Sequence, residues 1–134
     1  MLNHKGEVAE CTGDNIFLVR RGEVHTPSID AGILEGVTRS SILELAKELG
    51  HEVEERRIGI EEWRAGVADG SLREVFACGT AAVITPIGGV RSADGDWVIA
   101  DGSPGPVTNL LREELVGIQY GRKPDRYGWM HPLT

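Results

Sequence analysis

Two short segments combine residue types that suit binding of a small anionic ligand. Residues 36–39 read Gly-Val-Thr-Arg, so a glycine leads directly into a predicted helix start with a hydroxyl near the cap. Free N–H groups and the positive end of a helix dipole favour an anion there, and phosphate suits such a site best. Residues 78–82 are small and lie between two predicted strands, where a ligand could approach the backbone and the hydroxyl of Thr80. An ordinary capped helix and a close-packed strand crossing fit the same two patterns, so both interpretations stay open.

A third feature is the carboxylate of Glu10, which stands in an apolar stretch just before a glycine turn. If this stretch is a strand, simple alternation points the carboxylate to solvent. A carboxylate that points inward instead needs a partner that stabilises its charge. Neither this residue nor either of the two segments is sufficient by itself to indicate a function.

The elements that must position these residues follow from apolar spacing and turn residues. Strands are predicted at residues 8–10, 16–19, 23–26, 53–58, 74–77, 81–87 and 97–100, with turns at 11–15 and 20–23. A helix is predicted from Thr38 or Ser41, since Ser41 and Glu44 have the spacing of a capping box, to Gly50. Further helices are predicted at residues 61–67 and 106–115, the last with Val107, Leu110, Leu111 and Leu115 inward.

This order lacks a regular strand–helix–strand repeat, which excludes a doubly wound sheet. It predicts an α+β fold, a curled sheet or pseudo-barrel with flanking helices. The length of 134 residues indicates one domain, residues 1–134. Pro86 within an apolar strand predicts a sheet edge or a bend.

Taken together and in order, five segments closely resemble fold-type IV pyridoxal-phosphate aminotransferases, and most of all those of the branched-chain type. The segments are VAECTGDNIF (8–17), ILEGVTR (33–39), VFACGTAAVITP (75–86), GSPGPVT (102–108) and YGWM (127–130). The resemblance covers nearly the whole chain, and the third segment is the most specific. It implies the cofactor-cradling C-terminal domain of such an enzyme, with pyridoxal 5′-phosphate as cofactor.

The resemblance also implies roles for individual residues. Glu10 corresponds to the carboxylate that keeps the pyridine nitrogen protonated, so we expect its side chain to point into the cofactor groove. Leu34 corresponds to the apolar residue that packs on the cofactor ring. The expected cofactor-binding residues are Glu10, Leu34, Gly36, Val37, Thr38, Gly79 and Thr80, and the expected substrate-carboxylate contacts are Thr80 and Ala81. We further expect the amide of Thr38 and the hydroxyl of Thr80 to face the same site.

The chain departs from the family pattern in two respects. The Schiff-base lysine of the family lies upstream of the glutamate segment, and none of Lys5, Lys47 and Lys123 matches it. We therefore expect no catalytic residue in this chain, no N-terminal domain, and no activity of the chain alone. Glu35 stands where many relatives have proline, close to the expected phosphate site, and is expected to point to solvent.

The composition limits the kinds of binding partner and the cellular compartment that are expected for this protein. The net charge of −7 without a basic patch argues against a nucleic-acid partner, and no apolar run is long enough for a membrane span. Cys11 and Cys78 lack metal-ligand spacing and are expected to be reduced, small, buried thiols in a cytoplasmic protein. The expected partners are an amino acid or 2-oxo acid and, because a missing domain bares apolar surface, further copies of the chain.

The function expected from the resemblance is transamination between branched-chain amino acids and 2-oxoglutarate in the complete enzyme. One alternative is another chemistry on the same fold, a D-amino-acid transaminase or an aminodeoxychorismate lyase. The other alternative is a non-catalytic binding or assembly module, which the missing lysine favours.

Overall fold

A five-stranded sheet forms the centre of the molecule, which a computed structural model describes for residues 1–133. The strands are β1 (Asn15–Arg20), β2 (Glu23–Pro27), β3 (Val53–Arg56), β4 (Leu72–Gly79) and β5 (Val83–Pro86). Their order is β3-β2-β1-β4-β5, and all neighbours are antiparallel except β2 and β3. The sheet ends at β3 and β5, so it is an open sheet and not a closed barrel. A separate pair, β6 (Gly89–Val90) and β7 (Trp97–Val98), forms a small hairpin.

Three helices cover the two faces of the sheet: α1 (Val37–Glu48), α2 (Ile60–Ala68) and α3 (Pro106–Gln119). In β1, Phe17 and Val19 pack with α1 and α3, whereas Ile16 and Leu18 pack with Trp63 of α2. Because both faces are buried, this strand is a continuous apolar run and not an alternating one. The α+β prediction, with a sheet and flanking helices, is confirmed.

No helix within residues 1–133 is long and apolar enough to cross a membrane. The predicted edge position of Pro86 is confirmed, since it ends the outermost strand, β5.

Several element predictions were wrong in detail. The capping box was wrong, because α1 begins at Val37 with Gly36 as its N-cap, and the Ser41 hydroxyl donates to the Val37 carbonyl inside the helix at 3.1 Å. A hydroxyl and a carboxylate three residues apart also occur inside helices, so their spacing alone does not locate a helix start. Leu110 was expected inward but is 37% exposed, since the inward face of α3 is formed instead by residues such as Leu111 and Leu115.

The stretch around Glu10 is not a strand either. Val8 and Cys11 form isolated bridges with Leu2 and Asp14, and Glu10 lies between them without strand pairing. The predicted tight turn is present, since the Cys11 N–H donates to the Asp14 carbonyl at 2.8 Å.

The N terminus of α3 is capped by a side chain from the sheet, on strand β4. Glu74 on β4 is 6% exposed, and its carboxylate accepts the backbone N–H groups of Val107 (3.2 Å) and Thr108 (2.8 Å). It also accepts the Thr108 hydroxyl at 2.7 Å. The N-cap residue, Gly105, has no side chain to cap the helix, and a Cβ there would overlap the Glu74 carboxylate. A buried negative charge at this end is stabilised by the helix dipole and by three donors.

We predict that Glu74→Gln destabilises the fold. The amide keeps the shape of the side chain but turns an NH₂ group towards N–H donors, so the free energy of unfolding should fall by about 1–3 kcal/mol. Urea denaturation measures this change. Glu113→Gln, on an exposed position of the same helix, is the matched control and should change it by less than about 0.5 kcal/mol. Equal effects of the two substitutions would contradict the capping role.

Candidate functional site

Three segments that are distant in sequence line one cavity of about 410 Å³, which we call the cradle cavity. They are the turn before β1, the loop before α1, and the end of β4. Because β1 and β4 are antiparallel with Asn15 opposite Cys78, the start of one strand lies beside the end of the other. The cavity is lined by Glu10, Gly13, Asp14, Asn15, Leu34, Glu35, Gly36, Val37, Thr38, Cys78, Gly79 and Thr80.

All the expected cofactor-binding residues therefore lie together on this cavity. Of the two expected substrate contacts, Thr80 lines it, and Ala81 does not. Ala81 is exposed in the turn between β4 and β5. Glu35 is exposed, as expected, although it contributes to the rim.

The amino end of α1 supplies hydrogen-bond donors to the cavity. The first N–H groups of a helix have no partner within the helix, and the N-cap Gly36 makes no side-chain capping bond. Thr38, the second helical residue, is buried, and Thr80 across the cavity is exposed. The helix end and the two hydroxyl-bearing residues thus meet at one place, and that donor set suits a phosphate.

Glu10 is half-buried and lines the cavity. Its Oε2 accepts the backbone N–H of Leu34 at 3.3 Å, across the loop that precedes α1. Its backbone carbonyl accepts the amino terminus of Met1 at 2.6 Å. The Glu10 side chain thus reaches Leu34 on the same cavity wall, and its orientation towards a cofactor stays a prediction.

Two polar side chains of the cavity, those of Asp14 and Asn15, were missed by the sequence reasoning. A Cβ on Gly36 would overlap the Asn15 side chain, and a Cβ on Gly79 would overlap that of Asp14. Each glycine thus makes room for a neighbouring polar side chain, whereas the sequence suggested room for a ligand. The only local signal was a polar pair between a glycine turn and an apolar strand.

Both cysteines are free, and Cys78 forms part of the cavity wall. Burial raises the pKa of the Cys78 thiol to about 12, with a smaller contribution from the Asp14 carboxylate. Burial also raises the pKa of Cys11. The two thiols are therefore neutral near pH 7, and Cys78 presents an uncharged surface to the cavity.

The first residue of β5 carries backbone strain. Val83 has a φ of 60°, a conformation that a β-branched residue rarely adopts. Such strain costs about 1–3 kcal/mol and tends to occur at ligand sites. It lies three residues after Thr80, where the chain reverses.

The lysines lie away from the cradle cavity. Lys5 and Lys47 are exposed, in a turn and on α1, and Lys123 pairs with Glu114. Within residues 1–133, no lysine lines the cavity, and no group of three or more histidine, cysteine or acidic residues could hold a metal ion.

A second cavity, of about 570 Å³, adjoins the first and shares Val37, Thr38 and Thr80 with it. Its outer wall includes Trp129, whose ring stacks on Tyr127 with centroids 4.1 Å apart. The Asp125 carboxylate accepts the backbone N–H groups of Trp129 (3.0 Å) and Met130 (2.7 Å). These bonds order residues 125–130 locally, and Trp129 lines this cavity together with the amino end of α1.

Comparison with known proteins agrees with this arrangement. The sequence profile of the family "Amino-transferase class IV" matches residues 1–90. A probable branched-chain-amino-acid aminotransferase of Streptomyces coelicolor is 48% identical over 127 residues, which are 95% of this chain and 35% of that protein. The branched-chain-amino-acid aminotransferase of Mycobacterium tuberculosis is 49% identical over 130 residues, 94% of this chain and 35% of the relative.

A solved structure gives the same result in three dimensions. The "T.th." branched-chain amino acid aminotransferase, complexed with N-(5'-phosphopyridoxyl)-L-glutamate, superposes with a TM-score of 0.85 at 34% identity. The alignment covers 100% of this chain and 42% of that one. The chain spans only 35% of the length of the two aminotransferases from Streptomyces coelicolor and Mycobacterium tuberculosis. On these matches to sequence and fold, the chain belongs to the class IV amino-transferases.

Proposed function

We propose that this chain is the cofactor-cradling domain of a pyridoxal-phosphate aminotransferase that transfers amino groups between branched-chain amino acids and 2-oxoglutarate. The observation that carries the proposal is the meeting of Glu10, Leu34, the amino end of α1 and Thr80 on one cavity. These groups come from three separate segments, and together they suit three parts of the same cofactor: the phosphate, the ring and the ring nitrogen.

The donor set of the cavity fits the cofactor part by part. The amino end of α1, with the hydroxyls of Thr38 and Thr80, binds the phosphate. The side chain of Leu34, 75% exposed, offers an apolar surface to a ring. The Glu10 carboxylate holds a proton on the ring nitrogen, because a nearby negative charge favours the charged pyridinium form. The cofactor itself, when bound, supplies the electron sink for chemistry at the substrate α-carbon.

The choice of substrate rests on the relatives. Those named above are branched-chain-amino-acid aminotransferases, and the ligand of the solved structure joins a phosphopyridoxyl group to glutamate. We propose an amino acid and a 2-oxo acid as the substrates here, with Thr80 and the Ala81 backbone as contacts for their carboxylate. Assembly into a homo-oligomer and a cytoplasmic location remain part of the proposal.

The alternative of a non-catalytic binding module has one observation in its favour, the absence of a lysine from the cavity wall within residues 1–133. Such a module would bind the phosphate cofactor or a partner chain without turnover. In the proposed aminotransferase, by contrast, the covalent anchor for the cofactor comes from residues outside this chain.

We predict that the isolated chain binds pyridoxine 5′-phosphate, which has the ring and the phosphate but no aldehyde to react with surface lysines. Thr80→Val removes one hydroxyl donor, so the dissociation constant should rise about tenfold, the equivalent of one hydrogen bond to a charged group. Isothermal titration calorimetry measures the constant. Thr85→Val, on an exposed position of β5, should leave it unchanged, and pyridoxine without phosphate should bind far more weakly.

The same protein should not turn over leucine and 2-oxoglutarate in the presence of pyridoxal phosphate. Turnover together with borohydride trapping of the cofactor on Lys5, Lys47 or Lys123 would overturn the assignment of the anchor to another part of the enzyme. Failure of the wild-type chain to bind pyridoxine phosphate at any accessible concentration would argue against the cradle itself.

We predict that Glu10→Gln changes the protonation of the bound ring more than its affinity. The amide keeps the shape but removes the charge, so the pKa of the ring nitrogen should fall, by one unit for each ~1.4 kcal/mol of lost coupling. The absorbance of bound pyridoxine phosphate, followed against pH, measures that pKa. In a complete enzyme the substitution should lower kcat with little loss of cofactor.

Glu35→Gln is the control for this experiment, because Glu35 also contributes to the cavity rim but is exposed. It should move the pKa of the ring nitrogen much less. Equal shifts for the two variants would mean that Glu10 acts only through the general field of the site.

A further inference from the structure

The loop that carries Leu34 owes its position to side chains from elsewhere in the cavity. The loop joins the short 3₁₀ helix Ile29–Ala31 to α1. The side chains of Leu34 and Val37 are 75% and 76% exposed, so burial of these two side chains contributes little to fixing the loop. Ile33 of the same loop is buried against Ala9 and Ala31, and backbone hydrogen bonds hold the conformation around Leu34.

Both backbone groups of Leu34 are held by residues of the segment before and at the start of β1. The N–H donates to the Glu10 carboxylate at 3.3 Å. The carbonyl accepts the Asn15 side-chain amide, Nδ2, at 2.8 Å, and also the Gly36 N–H at 3.0 Å. The peptide groups on both sides of Leu34 are thus tied to two residues that line the same cavity.

Asn15 also contacts the N-cap of α1. A Cβ on Gly36 would overlap the Asn15 Oδ1, so the glycine and the amide fit against each other. The Gly36 carbonyl accepts the Ser40 N–H at 3.0 Å, the first backbone bond of the helix. Asn15 is 5% exposed, and its backbone is paired with Cys78 in the sheet, so its side chain extends from a fixed base.

We infer that Asn15 is a positioning residue, which sets the side chain of Leu34 and the amino end of α1 relative to each other. This inference rests on the proposed function, in which Leu34 meets the ring and the helix end meets the phosphate. One rigid amide on β1 fixes the spacing of the two walls, whereas the loop alone would leave that spacing variable. Pre-organised walls reduce the ordering cost of ligand binding.

A purely structural role would give a different result, and Thr26 provides the comparison. Thr26, on β2, is fully buried. Its hydroxyl donates to the carbonyl of Ile16 at 2.7 Å, and Ile16 lies on β1, the strand that also carries Asn15. Thr26→Val therefore removes a buried bond between a side chain and the backbone at a site that does not line the cradle cavity. Its effect on global stability should match that of an Asn15 substitution.

The test uses the ligand-free chain and two Asn15 variants. Asn15→Ala removes the side chain. Asn15→Asp keeps the shape but lacks the N–H donor to the Leu34 carbonyl. The nearly isosteric Asp variant keeps the test available if the Ala variant does not fold. Hydrogen exchange by NMR reports the N–H groups of Leu34 and Gly36. Both variants should accelerate their exchange about tenfold beyond any change in global stability, the equivalent of one lost hydrogen bond.

The second measurement is the dissociation constant for pyridoxine 5′-phosphate. It should rise about tenfold for Asn15→Ala and remain unchanged for Thr26→Val. Unchanged exchange at Leu34 and Gly36, or an equal rise for the Thr26 variant, would overturn the positioning role. If the wild-type chain does not bind pyridoxine phosphate, the proposed function fails. The exchange measurement alone then decides whether Asn15 holds the conformation of the loop that carries Leu34.

Discussion

The register between β1 and β4 is the constraint on which the site depends. Phe17 pairs with Phe76 across these strands, and their rings stack with centroids 5.1 Å apart in the core beneath α1 and α3. A slip by one residue would turn every side chain of a strand to the opposite face. Because both faces of β1 are packed, such a slip would expose apolar groups on one face and crowd the other. The same register puts Asn15 opposite Cys78, and so brings the turn before β1 to the turn after β4.

Charged side chains then fix the helices to this sheet from within. Arg39, in the first turn of α1, is 1% exposed and donates to the Pro27 carbonyl at 3.0 Å and to Glu55 at 2.7 Å. It ties the amino end of α1 to the ends of β2 and β3, which are parallel neighbours. Glu74 does the same for α3 from β4. A buried charge is tolerated only where donors or acceptors compensate its desolvation, so each of these contacts has one favourable geometry. The helix ends therefore have fixed positions.

The sequence predicted the elements well where apolar spacing was strong and poorly where polar residues decide. The helices and the central strands follow from side chains such as Ile42, Leu45 and Leu111, which are buried as their spacing indicated. The helix start did not follow, because hydroxyls at several positions have capping spacing and only tertiary contacts select Gly36. Asn15 was missed for the same reason: its partner, the Leu34 carbonyl, is 19 residues away. The expected role of Leu34 came only from resemblance to a family, since nothing in its local sequence indicates a ligand.

The distribution of polar and apolar groups around the cavity would allow one small site to orient the proposed amphipathic ligand. Donors cluster at the amino end of α1, the acidic residue Glu10 lines the cavity from the segment before β1, and the exposed side chain of Leu34 projects from the loop between these two segments. A ligand with an anion at one end and a protonated ring nitrogen at the other satisfies all three only in one direction, since reversal would bring the anion to Glu10. Repulsion of the wrong orientation contributes to specificity as much as attraction of the right one. That discrimination is useful only if the walls keep their spacing, which is why the bonds between Glu10, Leu34 and Asn15 matter as much to the site as the groups that would contact the ligand.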